Sequence, residues 1–206
     1  MYRIFLMITL LVLPIVATAN NQANIEVTPL IGYRFGGNFD NIQTATRIKL
    51  AKDVSYGLQV AWPMTINQQG EVVISHYDTG IVNADDDSPS ELMADNNIGV
   101  TYLHLGGNVK LSEGSLPIWI SGGLGASYLA PSDDNLDDEL RFSMNLGMNT
   151  RYALSSNLSL TIGGRVYATF FNSDSAAFCD SDICNIHISS DIWIQSEVNA
   201  GLVFSF

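Results

Sequence analysis

Apolar and polar side chains alternate along most of this 206-residue chain. Alternation at every second residue places the two kinds of side chain on opposite faces of a β-strand. Five of the resulting segments alternate cleanly, the third is short, and the fifth, IWISGGLGASYL, is blurred by glycines. The pattern predicts about eight strands, at 25–36, 54–63, 70–80, 97–111, 117–129, 140–154, 157–171 and 191–206.

The connections between these strands alternate between long and short. The long ones are 37–53, 81–96, 130–139 and 172–190. This rhythm is typical of an up-and-down antiparallel barrel in an outer membrane, with short periplasmic turns and long external loops. We therefore expect an all-β transmembrane barrel with both termini in the periplasm. Residues 43–51 fit either an extension of the barrel wall or a loose loop.

The facing of charged residues supports a lipid environment. In the clean strands one face is apolar, while the other is polar and carries both acids and bases. A barrel in water would bury the apolar face, so we expect the polar face to line the lumen. Eight strands leave room only for side chains, which predicts a filled lumen, with a narrow channel as the alternative. The predicted lumen network is Glu26, Arg34, Glu71, His104, Lys110, Arg141, Arg151, Arg165 and Glu197.

The first 19 residues are typical of a secretory signal peptide. Arg3 precedes an apolar run over 4–16, and Ala17-Thr18-Ala19 follows as a cleavage site. Cleavage would leave residues 20–206 as one barrel domain. No later stretch is long and apolar enough for a transmembrane helix. The expected location is therefore the bacterial outer membrane.

The charge composition of the chain limits which classes of molecule it is expected to bind. Charged residues make up only 15% of the chain, and the formal net charge is −12, which argues against nucleic acid as a partner. The acids gather in the long intervals, as in NADDDSPSELMAD. A solvated loop surface explains them; divalent-cation binding among lipopolysaccharide phosphates, or binding of a basic ligand, is the alternative. No segment has the spacing of a calcium loop, and we expect no metal and no cofactor.

Three stretches carry a family resemblance: TPLIGYRFGG, YLHLGGNVKL and FCDSDIC with AGLVFSF. They resemble the small eight-stranded outer-membrane barrels of Gram-negative bacteria, the OmpA/OmpX-type group, and within it a family without an assigned activity. The closing residues Gly201, Leu202, Phe204 and Phe206 resemble the signal read by the barrel assembly machinery. The resemblance implies that machinery and outer-membrane lipid with lipopolysaccharide as partners. We expect a monomer.

Cys179 and Cys184 are the only cysteines, and both fall in the last long interval. In an exported chain such a pair is expected to form a disulfide. A metal site that adds Asp180, Asp182 or His187 to the two sulfurs is the weaker alternative, because no second cysteine pair is present.

The sequence offers one enzymatic alternative. His187, Ser189 and Glu197 are similar to the His-x-Ser arrangement of lipid A deacylases, in which a base activates a hydroxyl and a carboxylate orients the base. Their parity places them with the lumen residues, whereas a site that acts on bilayer lipid must face outward. We therefore predict a non-enzymatic structural or surface-interaction role. His76, at the rim of the third strand, shows no partner in the sequence.

Overall fold

The computed structural model describes residues 25–41, 46–83, 97–132, 137–171, 176–180, 183–187 and 192–206. The predicted signal peptide and its cleavage site lie outside these residues. Across the described ranges, no helix is long and apolar enough to cross a membrane.

Twelve β-strands form within the described ranges. Eight are long and make the barrel, and the other four form two short hairpins. In chain order the strands are β1 (Glu26–Gly36), β2 (Asn38–Asn41), β3 (Thr46–Leu50), β4 (Asp53–Thr65), β5 (Gln68–Asn83), β6 (Asn97–Lys110), β7 (Ile118–Pro131), β8 (Glu139–Ala153), β9 (Leu158–Phe170), β10 (Ala176–Asp180), β11 (Ile183–His187) and β12 (Ile192–Ser205).

The eight long strands close into an antiparallel barrel. Each pairs with its neighbours in the ring β1-β4-β5-β6-β7-β8-β9-β12. The first and last strands complete the ring, from Glu26 opposite Ser205 to Gly36 opposite Gln195. Beyond the Glu26–Ser205 pair, the Phe206 amide donates to the Ile25 carbonyl over 3.0 Å. The predicted all-β, eight-stranded antiparallel fold is confirmed.

The long interval after β1 contains additional sheet. Residues Thr46–Leu50 form β3, which pairs with β2 on one side and with the end of β5 on the other. Because β3 continues the ladder, β5 runs to Asn83, three residues beyond the predicted end. Most of the 43–51 segment is therefore an extension of the barrel wall.

Side-chain burial follows a period of two, as the alternation requires. In β12, Trp193 and Gln195 are each 1% exposed, while Ile194 between them is 56% exposed. The inward side chains are thus buried against one another in the lumen, and the apolar outward side chains form the outer surface of the barrel. This arrangement is the reverse of a barrel that folds in water.

The two strands with unclear patterns obey the same rule. In β5, Val73 and Tyr77 point inward with Glu71, which leaves His76 and Asp78 on the outer face. In β7, Trp119 and Leu129 are buried in the lumen. The sequence pattern was unclear because some apolar residues are packed inside and some polar ones lie outside.

Candidate functional site

A buried ion pair occupies the lumen near the end with the long connections. The register places Arg34 on β1 directly opposite Glu197 on β12, and the two side chains form a salt bridge. Arg34 Nη2 also donates to Ser75 Oγ over 2.6 Å. Ser55 Oγ donates to Glu197 Oε2 over 2.8 Å, and Asn199 Nδ2 donates to Oε1 over 2.9 Å. Both oxygens of the Glu197 carboxylate therefore accept hydrogen bonds, Oε2 from other strands and Oε1 from Asn199 on β12 itself.

Three tyrosine rings enclose the Arg34 guanidinium. Its central carbon lies 4.4 Å from the ring centroid of Tyr167, 4.7 Å from that of Tyr77 and 5.1 Å from that of Tyr102. A cation over an aromatic face is attracted by the ring quadrupole, and the attraction strengthens away from water. Tyr102 and Tyr167 stack on each other with centroids 4.4 Å apart. The cage is therefore a compact plug of aromatic rings around one cation.

Hydrogen bonds tie this cage to the opposite walls. The Tyr102 hydroxyl donates to Gln195 Oε1 over 2.9 Å, although β6 and β12 lie on opposite sides of the ring. The Gln195 amide nitrogen donates in turn to the Tyr77 hydroxyl. Next to Tyr102, His104 Nε2 lies 2.9 Å from Ser143 Oγ. Side chains at this level thus cross the lumen.

A second ion pair lies closer to the short turns. Arg165 Nη1 on β9 donates to Glu71 Oε1 on β5 over 3.2 Å, again between opposite walls. The same nitrogen donates to Asn145 Oδ1 over 3.0 Å, and Asn108 Nδ2 donates to Glu71 Oε2 over 2.9 Å. Both charges are therefore neutralised within the lumen and hydrogen-bonded there.

A third pair lies at the short-turn end. Arg151 Nη1 donates to Glu26 Oε2 over 2.7 Å, and its guanidinium lies 4.4 Å from the ring centroid of Trp119.

A cavity of about 10 Å³, lined in part by Thr161 and Asn199, lies within the lumen. That volume suits about one water molecule.

Two of the predicted network residues lie at the barrel ends. Lys110 Nζ is 3.8 Å from Glu113 on the adjoining turn. Arg141 Nη2 is 2.5 Å from Glu139, and its guanidinium lies over the Phe171 ring at the long-connection end. The structure therefore brings six of the nine residues together as three arginine–glutamate pairs, hydrogen-bonds His104 to Ser143, and gives Lys110 and Arg141 local partners.

Sequence reasoning missed the tyrosine cage. Tyr77, Tyr102 and Tyr167 each lie on the polar parity of their strand, and Tyr102 and Tyr167 are two residues from His104 and Arg165. That shared parity was the available signal.

Glycines on the inward face make room for the large lumen side chains. A Cβ added at Gly32 would lie 2.6 Å from Ser55 Oγ and 3.0 Å from Glu197 Cδ. One added at Gly147 would lie 2.6 Å from Ser121 Oγ. Side chains at these positions would press on the lumen, so its packing explains part of the glycine content that blurs the strand pattern.

The outer wall carries a polar cluster of its own. His76 Nδ1 lies 2.8 Å from Thr101 Oγ1, and His76 Nε2 lies 3.4 Å from Asp78 Oδ1. His76, for which the sequence showed no partner, therefore has two. The partners come from the next residue on the same face and from the neighbouring strand, which only the register reveals.

The residues of the enzymatic alternative are not seen together. Glu197 is buried in the lumen with the partners described above, His187 ends β11, and Ser189 lies outside the described residues. Over the part of the chain that the structure describes, no group of three His, Cys, Asp or Glu side chains is placed to hold a metal ion.

The remaining predicted residues lie near the last strands. In the β10–β11 hairpin the backbone register pairs Cys179 with Cys184. On β12, Leu202 and Phe204 face outward, Gly201 faces inward, and Phe206 follows the strand with an exposed side chain.

Several solved structures share this architecture at low sequence identity. No family model matches the chain, and no curated protein matches it either. Neisserial surface protein A is 12% identical, with a TM-score of 0.58 over 90% of this chain and 99% of that one. The chain has the fold of the small outer-membrane β-barrels. The outer membrane protein AlkL (11% identity, TM-score 0.57, 92% and 93% coverage) and OprG from Pseudomonas aeruginosa (10%, 0.55, 89% and 95%) share it.

The buried Arg34–Glu197 pair predicts an asymmetric mutational response. Arg34→Met should lower the free energy of unfolding by about 3–5 kcal/mol, because it leaves the Glu197 carboxylate buried and uncompensated. Arg34→Met combined with Glu197→Met should recover much of that loss. The measurement is urea unfolding in lipid vesicles.

Lys110→Met is the matched control, because its 3.8 Å pair with the exposed Glu113 is expected to contribute about 0–1 kcal/mol. An Arg34→Met variant as stable as the parent, or a double variant no more stable than the single one, would contradict the account.

Proposed function

We propose that this protein is an integral protein of the bacterial outer membrane with a structural or surface-interaction role rather than a catalytic one. The observation that carries the proposal is the inverted barrel, in which apolar side chains cover the outside and three ion pairs lie inside. Outward residues such as Leu146, 64% exposed, and Leu105, 61% exposed, would form a large apolar surface in water. Lipid solvates these apolar side chains, and closure of the ring gives the backbone groups of every barrel strand a hydrogen-bond partner. The outer-membrane proteins that share the fold support this location.

The proposed orientation places the long, acidic connections outside the cell and both termini in the periplasm. Short periplasmic turns and long external loops are the rule for such barrels. We further propose a disulfide between Cys179 and Cys184, which the hairpin register favours by pairing the two positions. A closed barrel has no free edge for strand pairing between copies, which supports a monomer.

The lumen contacts favour a barrel that does not conduct. Two hydrogen bonds join opposite walls of the barrel at different heights, one between Tyr102 and Gln195 and one between Arg165 and Glu71. Ions would have to displace paired charges and aromatic rings to pass. The narrow-channel alternative therefore requires a rearrangement of the lumen side chains.

The deacylase-like alternative receives little support from the position of Glu197. Its carboxylate accepts from Arg34, Ser55 and Asn199 inside the barrel. A carboxylate that orients a lipid-facing histidine would have to lie on the outer face. We therefore prefer a non-catalytic role.

The location is tested by expressing the full chain in a Gram-negative host and fractionating the envelope. We expect the protein in the outer-membrane fraction, faster migration of the unheated sample on gels than of the boiled one, and a protease-resistant barrel. A closed, hydrogen-bonded barrel stays folded in the denaturing detergent of the gel until it is boiled, which is the physical reason for the mobility difference. Recovery from the soluble periplasmic fraction, or identical mobility before and after boiling with rapid proteolysis, would contradict the proposal.

The filled lumen is tested by planar-bilayer recording of the purified protein. We expect no stable conductance, because two levels of side chains cross the lumen. A heat-unfolded sample is the control for nonspecific leakage. Reproducible unitary conductance steps from the folded sample would support the channel instead.

A further inference from the structure

A polar cluster interrupts the outer wall where its apolar band ends. Along β5 the outward residues change from Ile74, which is apolar, to His76 and then Asp78. On the adjacent β6 they change from Leu103 to Thr101. One outward step is two residues, or about 7 Å. With the barrel placed in the membrane as proposed, the cluster therefore lies at the level of the lipid headgroups.

Both ring nitrogens of His76 have a partner in the cluster. Nε2 lies 3.4 Å from Asp78 Oδ1. Nδ1 lies 2.8 Å from Thr101 Oγ1. The ring is held on both sides, although the His76 side chain is 46% exposed and the Asp78 side chain 84% exposed.

A shallow notch lies beside this cluster. The register aligns Gly99 on β6 with Ala130 on β7, so its floor carries no side chain larger than a methyl group. His76 and Asp78 form one side. Tyr128 and Asp138 form the other, and their side chains are hydrogen-bonded to each other. The notch extends from β5 to β8, which is three strand spacings or about 14 Å.

The chemistry of the notch favours a hydroxyl-bearing ligand. Two exposed carboxylates flank it, so an anionic phosphate would be repelled. Carboxylates and a threonine hydroxyl are suitable partners for sugar hydroxyls, since each oxygen accepts more than one hydrogen bond. The exposed Tyr128 ring adds an amphipathic surface for the C–H face of a sugar.

The apolar residues below the notch complete the site for an amphiphile. Ile74 is 44% exposed, Leu103 54% and Leu105 61%, and all lie on the outward face of β5 and β6. Acyl chains attached to a sugar in the notch would run along this strip. We propose that the notch binds the sugar headgroup of a membrane glycolipid; the inference rests on the proposed outer-membrane function.

The test uses the full chain in nanodiscs of phosphatidylcholine with equal minor fractions of glucosyl-diacylglycerol and phosphatidylglycerol. Native mass spectrometry then counts the lipids that stay bound after release. We expect retention of the glucosyl lipid above its share of the bilayer. Asp78→Asn and Thr101→Val should each lower that retention about three- to tenfold, the effect of losing one or two hydrogen bonds.

Ser196→Val on β12, at the opposite side of the ring, is the matched control and should leave retention unchanged. Retention of both lipids in proportion to their share, a preference for phosphatidylglycerol, or variants that retain the glucosyl lipid like the parent would overturn the inference. Faster gel migration of each unheated variant shows that it has folded. A parent chain that does not enter nanodiscs contradicts the proposed function itself, whereas a folded, inserted chain without glycolipid contradicts only the notch.

Discussion

The pairing of β1 with β12 is the constraint on which the rest of the structure depends. It removes the last free edge among the eight barrel strands, so each of them has two neighbours. Lipid offers no hydrogen-bond partners, and a barrel with an open edge would leave a row of backbone groups unpaired there. Closure also creates an interior cut off from the surroundings, and the charged residues on the inner face must find their partners inside it.

The lumen meets that requirement with matched charges. Arg34, Arg165 and Arg151 each have one glutamate, and these pairs lie at three successive levels between the long connections and the short turns. The tyrosine cage supports the most buried arginine through ring faces, which solvate a cation where water cannot. Inward glycines such as Gly32 keep the wall thin beside these large groups. Polarity inside, apolarity outside and glycine content are thus consequences of one closed ring of eight strands.

Much of the fold could be predicted from the sequence, because alternation and connection length are local properties. Eight strands, and the facing of those that alternate cleanly, followed from period two, and the up-and-down barrel followed from the alternation of long and short connections. The partners of each charge could not be predicted, because they depend on register and on which walls face each other. Arg165 and Glu71 are 94 residues apart in the chain, and His76 meets Thr101 only through the β5–β6 ladder. β3 was also undecided, since its pairing with the end of β5 leaves no clear mark in its own five residues.

The most direct test of the inverted barrel is an NMR measurement of contacts between lipid acyl chains and methyl groups. The protein, with labelled leucine and valine methyls, is placed in lipid bilayers without any substitution. The outward methyls of Leu105, Leu146 and Leu202 should show cross-peaks to acyl-chain protons, and the inward methyls of Leu129 and Val203 should show none. Acyl-chain contacts at Leu129 and Val203, or water contacts in place of lipid at the three outward leucines, would contradict the account.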